Sequence, residues 1–468
     1  MGGDPGRVVR NLSGVVRATS PGWMLAVAAL ASIMISLDLL IVATSLLTIR
    51  VELGAAHDQL FWVVTAYAIP FASLLLVGAR LGDRFGPRRM LVTGLLGFAG
   101  ASLLCGLAPN LAFLVGARAV QGSFGALVIP LAISLLVESV GPMRTTRTLG
   151  FLEALTGVAT VAGPVLGGIV TTGLGWRWVF WLNLPIAVVT VVVCLLAVRA
   201  DGPGRREPID LRGALLAATS AALIVLAVAT RPIRGPLDPL VLVSGVAGIV
   251  LGVLFVRHLR RTPNGLIPRV LLRDRQFTRA LLTTLALFAS LYGSVYFLAQ
   301  YFQVLYTTDA AGAGLRLLPW TATLFVVAPL AGFVAERVGD RPVLLVGLIL
   351  QALGMGLLAV NAGSTDYAAA LVPLVIAGVG ASAAIPVVQA LVLGAARPAT
   401  LAAASGANSS AQELGGALGV AVLVGVLGLT GTATAEGVVV DGMRWVFLGS
   451  AVFALVAIAV APWSRRQA

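Results

Sequence analysis

Gly78–Arg89 reads GARLGDRFGPRR, a short charged turn framed by glycines at positions 78, 82 and 86 and wedged between two long apolar stretches. Gly332–Arg341 reads GFVAERVGDR and places glycine, acid, base and glycine in the same order, again between apolar stretches. A turn met twice in one chain marks an internal duplication. The first copy follows the second apolar run and the other follows the tenth. Two homologous bundles of six helices are implied, with the seventh and eighth runs left between them as an insertion.

A spanning helix needs about 20 apolar residues. Runs of that kind cover residues 24–48, 60–80, 90–108, 111–138, 148–171, 178–198, 212–230, 238–256, 279–304, 314–335, 342–360, 367–393, 404–429 and 443–462. The expected fold is an all-α membrane protein of fourteen transmembrane helices. It divides into an N-terminal six-helix bundle (1–205), two inserted transmembrane helices (206–262) and a C-terminal six-helix bundle (263–468). The inserted pair has almost no polar residues in its runs, which predicts a place at the periphery.

Composition agrees. Hydrophobic residues make up 59% of the chain and charged residues 11%, against about a quarter charged in an average soluble protein. The net charge of +13 does not form a basic domain that would suit nucleic acid, because the arginines sit in short connections between runs. With the N-terminus inside, the connections that become cytoplasmic hold about 25 of the 32 arginines and the outer ones about six. This asymmetry predicts a multi-pass protein of the bacterial inner (plasma) membrane with both termini cytoplasmic, its surroundings the lipid bilayer. Arg7, Arg10 and Arg17 precede an apolar stretch from Trp23 to about residue 48, which has signal-peptide character but no small-residue cleavage site. It reads as an uncleaved first span.

Every basic residue is arginine, since the sequence contains no lysine. A phosphate-loop lysine or a Schiff-base amine is therefore absent, which excludes ATP binding of that type and pyridoxal chemistry. His57 and His258 fall in predicted loops with no carboxylate or thiol cluster at metal-ligand spacing, and Cys105 and Cys194 lie inside apolar runs as packing residues. No metal and no cofactor are expected, with a proton gradient as the energy source. A membrane-embedded enzyme would need paired aspartates, histidines or an acidic metal motif near one membrane face. None is visible, so the chain reads as a non-enzyme.

Ionisable residues inside spans mark function because their charged forms are costly there. Asp38, in the first run, lies roughly 15 Å below the outer end of its helix and Arg118, in the fourth, roughly 11 Å below the same face, so the two are at depths that let them meet. An aspartate alternately paired with arginine and protonated is a proton switch; the competing reading is a static ion pair holding two helices in register. Glu413 lies roughly 14 Å from the cytoplasmic end of the thirteenth run, as a second protonation site, a counter-ion for a cationic substrate, or a protonated interhelical donor. Glu153, nearer the cytoplasmic start of the fifth run, either lines an inward-facing vestibule or reaches headgroup water. In the ninth run Phe288, Tyr292, Tyr296, Gln300 and Gln303 recur at steps of three or four, which puts aromatic and amide groups on one stripe. With Tyr67, Gln121 and Glu153, the residues Tyr292, Tyr296 and Gln300 are the candidate substrate-cavity wall, and ordinary helix packing competes for the stripe.

GARLGDRFGPRR resembles the signature loop of the major facilitator superfamily, and four further segments are similar to its fourteen-helix drug:proton antiporter branch. They are LDLLIVA (37–43), RAVQGSFGA (118–126), GPVLGG (163–168) and WRWVFWLNLP (176–185). The resemblance spans essentially the whole chain and implies the major facilitator fold with alternating access. It implies a cytoplasmic gate at Gly78, Asp83, Arg84, Gly86, Arg88 and Arg89, coupling by Asp38 and Arg118, and the antiporter motif at Gly163, Pro164, Gly167 and Gly168, which argues for export over uptake. Where that branch has threonine, asparagine and proline around its first-helix aspartate, this chain has Leu40, Ala43 and Leu47. Fewer polar neighbours predict an Asp38 harder to ionise, or more dependent on Arg118. The function expected is proton-coupled drug efflux of small lipophilic or cationic compounds by a monomer, with dedicated export of one self-made metabolite or antibiotic as the alternative.

Overall fold

The computed structural model describes residues 21–55, 59–141, 144–200, 210–235, 237–262, 265–306, 310–364, 366–429 and 436–462. Among them no strand occurs, and each expected run is a helix. The first five are α1 (Pro21–Leu53), α2 (Phe61–Phe85), α3 (Pro87–Gly106), α4 (Leu111–Val140) and α5 (Thr145–Gly173). The sixth run is broken at Leu182 into α6 (Arg177–Trp181) and α7 (Asn183–Ala197), and the inserted pair is α8 (Leu211–Arg234) and α9 (Pro239–Arg261). A short helix not expected from the sequence, α10 (Arg269–Arg273), precedes α11 (Arg275–Leu305). The chain continues through α12 (Ala310–Val338), α13 (Asp340–Val360), α14 (Tyr367–Gly394), α15 (Leu401–Leu429) and α16 (Glu436–Val460). Eleven spans among the described residues are long and apolar enough to cross a membrane.

The duplicated turn is one backbone shape in both halves. Gly86 and Gly339 sit at φ 101° and 91°, the left-handed region that favours glycine. Their N–H groups donate to the carbonyls of Gly82 (2.9 Å) and Ala335 (2.8 Å), closing α2 and α12 and launching α3 and α13. Asn110, Asp274 and Asp366 cap α4, α11 and α14 by accepting from backbone N–H groups of the first turn.

Helices α1 to α7 pack on one another, chiefly α2 and α3 on α4 and α1 on α5, and α11 to α16 do the same, chiefly α13 on α14 and α11 on α15. The two groups meet along α2 with α15 and α5 with α12. At the arginine-rich face these seams are tight. Thr146 of α5 donates to Asp340 of α13 (2.9 Å), and the Arg147 guanidinium lies 3.9 Å from the centre of the Phe333 ring. A Cβ on Gly332 would stand 2.4 Å from the Cα of Arg147, so only glycine lets α12 approach α5 here. Gly332→Leu should therefore wedge this face open. A cysteine at Leu324, which packs on Gly157 across the same seam, should then react several-fold faster with a membrane-impermeant thiol reagent applied from the arginine-rich side. Cys105 and Cys194 are both buried and give that assay a low background.

The expectation of a peripheral insertion holds for α9, which packs on α8 and exposes Leu242, Val243, Val246, Ile249 and Val250. α8 is the member of the pair that touches the core, lying against both α2 and α15 along the seam between the halves. The hairpin is tied by Ser220 donating to the Gly248 carbonyl (2.8 Å) and by His258 Nε2 against Asp210 (2.9 Å). His258 is thus in the last turn of α9, not in a loop. His57 lies outside the described residues.

Candidate coupling and substrate site

Asp38 and Arg118 meet in the first half, sealed among α1, α2, α3, α4 and α7. Arg118 Nη1 donates to Asp38 Oδ2 at 2.5 Å and to Gln121 Oε1 at 2.7 Å, while Nε donates to the Val63 carbonyl at 3.1 Å. Asp38 Oδ1 accepts from Gln121 Nε2 (2.9 Å) and Asn183 Nδ2 (2.8 Å), and both amides also donate to Ser102 Oγ, at 2.8 and 3.3 Å. The guanidinium is stacked 4.4 Å from the centre of the Tyr67 ring, with Phe180 at 5.7 Å. Asp38 is 1% exposed, and Arg118, Gln121 and Ser102 are fully buried.

Several expectations change. The sequence around Asp38 predicts few polar neighbours; they arrive instead from α3, α4 and α7, as Ser102, Gln121 and Asn183. Gln121, expected on the cavity wall, belongs to this network, and its position three residues after Arg118 put it on the same helix face. Tyr67, expected on the same wall, is fully buried against Arg118 and Phe71. Nothing local in the sequence pointed to Ser102 or Asn183.

In the second half, the helices that correspond by order to α1, α3 and α7 carry a neutral cluster. Ser450 lies 3.0 Å from Ser290 and 2.5 Å from Ser294, and Gln351 donates to Ser290 at 3.1 Å. The fold repeats the polar node and charges only one copy.

Glu153 of α5 and Glu413 of α15 are half-buried, and neither makes a hydrogen bond or ion pair with a described residue. They come from opposite halves, and the Tyr292 hydroxyl on α11 is within electrostatic reach of both. Tyr67, whose ring is stacked on Arg118, is within electrostatic reach of Glu413. The side chains of Tyr296 and Gln300 lie outside the described residues.

At the expected gate, Asp83 pairs with Arg80 on its own helix (3.1 Å), Arg84 stacks over Phe85, and Arg88 donates to the Leu195 carbonyl of α7 at 2.6 Å. Arg89 follows them in the first turn of α3. Gly78 brings α2 against α4, where a Cβ would meet the Ala126 carbonyl at 2.7 Å. In the antiporter segment Gly163 and Gly167 are buried, and a Cβ on Gly168 would meet nothing within 4 Å. The Pro164 side chain lies outside the described residues. Among the described residues no group of His, Cys, Asp or Glu could hold a metal ion.

The sequence matches the family model of the Major Facilitator Superfamily over residues 26–327 and 309–467. A multidrug resistance protein B homolog of Mycobacterium tuberculosis (strain ATCC 25618 / H37Rv) is 30% identical over 401 residues, covering 85% of this chain and 74% of its own length. The tetracenomycin C resistance and export protein of Streptomyces glaucescens is 30% identical over 450 residues, 91% of this chain and 79% of its own. Among solved structures, the human organic anion transporter MFSD10 (TETRAN) superposes with a TM-score of 0.67 over 94% of this chain and 99% of its own at 14% identity, a likeness of fold. Two six-helix groups joined by an inserted pair, a duplicated glycine turn and a family match over nearly the whole length place this chain in the major facilitator superfamily, as a membrane transporter and not an enzyme.

Proposed function

We propose that the chain is a monomeric, proton-coupled exporter of small lipophilic or cationic compounds, working by alternating access with its arginine-rich face in the bacterial cytoplasm. The observation that carries this reading is the pair of unpartnered carboxylates, Glu153 and Glu413, presented from opposite halves beside Tyr292. A carboxylate with no protein counter-ion in a membrane interior serves either a proton or a cation, and exchange of one for the other is antiport. The names of the relatives, which are resistance and export proteins, support the outward direction.

Asp38 contributes differently from Glu413 in this scheme. Its protonation would leave Arg118 charged and without its counter-ion, stacked on Tyr67, which lies within electrostatic reach of Glu413. The sealed pair therefore reports the proton state of one half to the seam, while Glu413 carries the proton itself. Energy comes from the proton gradient and no cofactor is needed. Because one relative is named for exporting tetracenomycin C, dedicated export of a self-made metabolite stands as the second reading.

Proton flux in everted vesicles, measured across a panel of cationic and neutral compounds including ethidium, tests the proposal. Wild type should release protons on addition of a transported compound, and Asp38→Asn and Glu413→Gln should each suppress that signal. Substrate-dependent proton movement that survives Glu413→Gln would remove Glu413 from the mechanism.

A further inference from the structure

Hydroxyls in these helices are commonly tied to their own backbone. Ser45, Ser73, Ser123, Ser134, Thr190 and Thr230 each donate to a carbonyl three or four residues earlier. Three serines of α15 behave otherwise. Ser405, Ser409 and Ser410 are buried, and none of their hydroxyls has a hydrogen-bond partner among the described residues. Oε1 of the buried Gln389, on α14, is likewise without one.

Leaving a buried hydroxyl unsatisfied costs about 1–3 kcal/mol, and alanine would fill the same space without that cost. Three in one and a half turns call for a partner outside the chain. Ser405, Ser409 and Glu413 follow one another at steps of four, so they stand on one face of α15, about 6 Å apart along the axis. Asn408 on the flank is already bound to Thr284 of α11 (3.2 Å) and takes no part. Water is the partner that fits, since a buried water needs two to four polar contacts and this face of α15 supplies hydroxyls and a carboxylate in sequence. Near the arginine-rich end the column is shut. A Cβ on Gly406 would lie 2.5 Å from the Ala79 Cβ and 3.2 Å from the Leu75 carbonyl, so α2 closes directly on α15 at that level.

We propose that Ser405, Ser409 and Ser410 line a hydrated proton-exit path from Glu413 to the arginine-rich face, closed in this conformation by α2 and opened when α2 and α15 part. The path rests on the exchange reading above, with Glu413 as the proton carrier. The Glu413 O–H bond breaks and its proton passes to water. That water's neighbour, the Ser409 hydroxyl, accepts one proton as it gives its own towards Ser405, and the proton leaves to bulk water. The hydroxyls end as they began and Glu413 ends as carboxylate. Since only the parted state opens the path, protons and substrate are kept from leaking through the closed one.

Threonine and valine have the same shape and differ by the hydroxyl, so paired variants separate chemistry from packing. In proteoliposomes carrying an internal pH dye, ethidium transport driven by a pH gradient should fall about tenfold or more in Ser405→Val/Ser409→Val. Ethidium exchange at equal pH should stay near the wild-type rate, and Ser405→Thr/Ser409→Thr should keep both activities. Wild-type driven transport in the valine pair, or loss of exchange along with driven transport, would overturn the path. Wild type that moves ethidium without protons would instead overturn the exchange reading on which the path rests.

Discussion

Arg118→Met should leave little folded protein in the membrane. The substitution keeps most of the side-chain volume and removes the counter-ion of Asp38, which is 1% exposed and has no water to turn to. Breaking one side of a buried ion pair costs about 3–5 kcal/mol, a large share of the roughly 5–15 kcal/mol that holds a typical domain together. Gln121 and Asn183 would still donate to Asp38 Oδ1, but two neutral amides do not compensate a full charge in this setting. The yield of monodisperse protein in mild detergent and its melting temperature should both drop sharply. Asp38→Asn/Arg118→Met removes the two charges together and should recover much of the loss, a coupling that a double-mutant cycle reads directly. Equal stability of Arg118→Met and wild type would mean that Asp38 is neutral in the folded protein.

Glu413→Gln should abolish proton-driven export and leave the protein folded. Glutamine matches the size of the carboxylate, which has no partner among the described residues to lose. Downhill equilibration of a neutral compound should persist, because the helices that rock are untouched. Glu153→Gln is expected to act on cation affinity first, since Glu153 stands on the other half, with Tyr292 in electrostatic reach of both carboxylates. Measuring both variants for gradient-driven transport and for exchange separates the roles; identical defects in the two would show that the carboxylates work as one unit.

Much of this architecture was legible in the sequence because membranes impose simple rules. Run length gives each spanning helix, arginine placement separates the faces, and a glycine needed for positive φ at Gly86 and again at Gly339 betrays the duplication. Rise per residue was enough to bring Asp38 level with Arg118. The rest depends on rotation of helices about their axes and on which helices become neighbours. Asn183 reaches Asp38 only because α6 and α7 break at Leu182 and turn the start of α7 inward. Tyr67 was placed on a cavity wall for its chemistry, although its helix turns it towards Arg118. The Asp210–His258 tie joins residues far apart in sequence that become neighbours once α8 and α9 fold into a hairpin. The serine column stood in plain view at 405 and 409, but free hydroxyls are distinguished from backbone-tied ones only by their contacts.

The seat of α8 on both α2 and α15 has a consequence for the lipid around the protein. When the arginine-rich ends of α2 and α15 separate, a crack would form between the halves, wide enough to admit acyl chains and let headgroups follow. α8 covers that line on the outside with an apolar face, and lipid tails are as apolar as the leucines they would replace. Sliding α8 from one helix towards the other therefore exchanges one hydrocarbon contact for another at little cost. On the alternating-access reading, α8 would act as a caulking strip, keeping the bilayer out of the gap that opens between the halves.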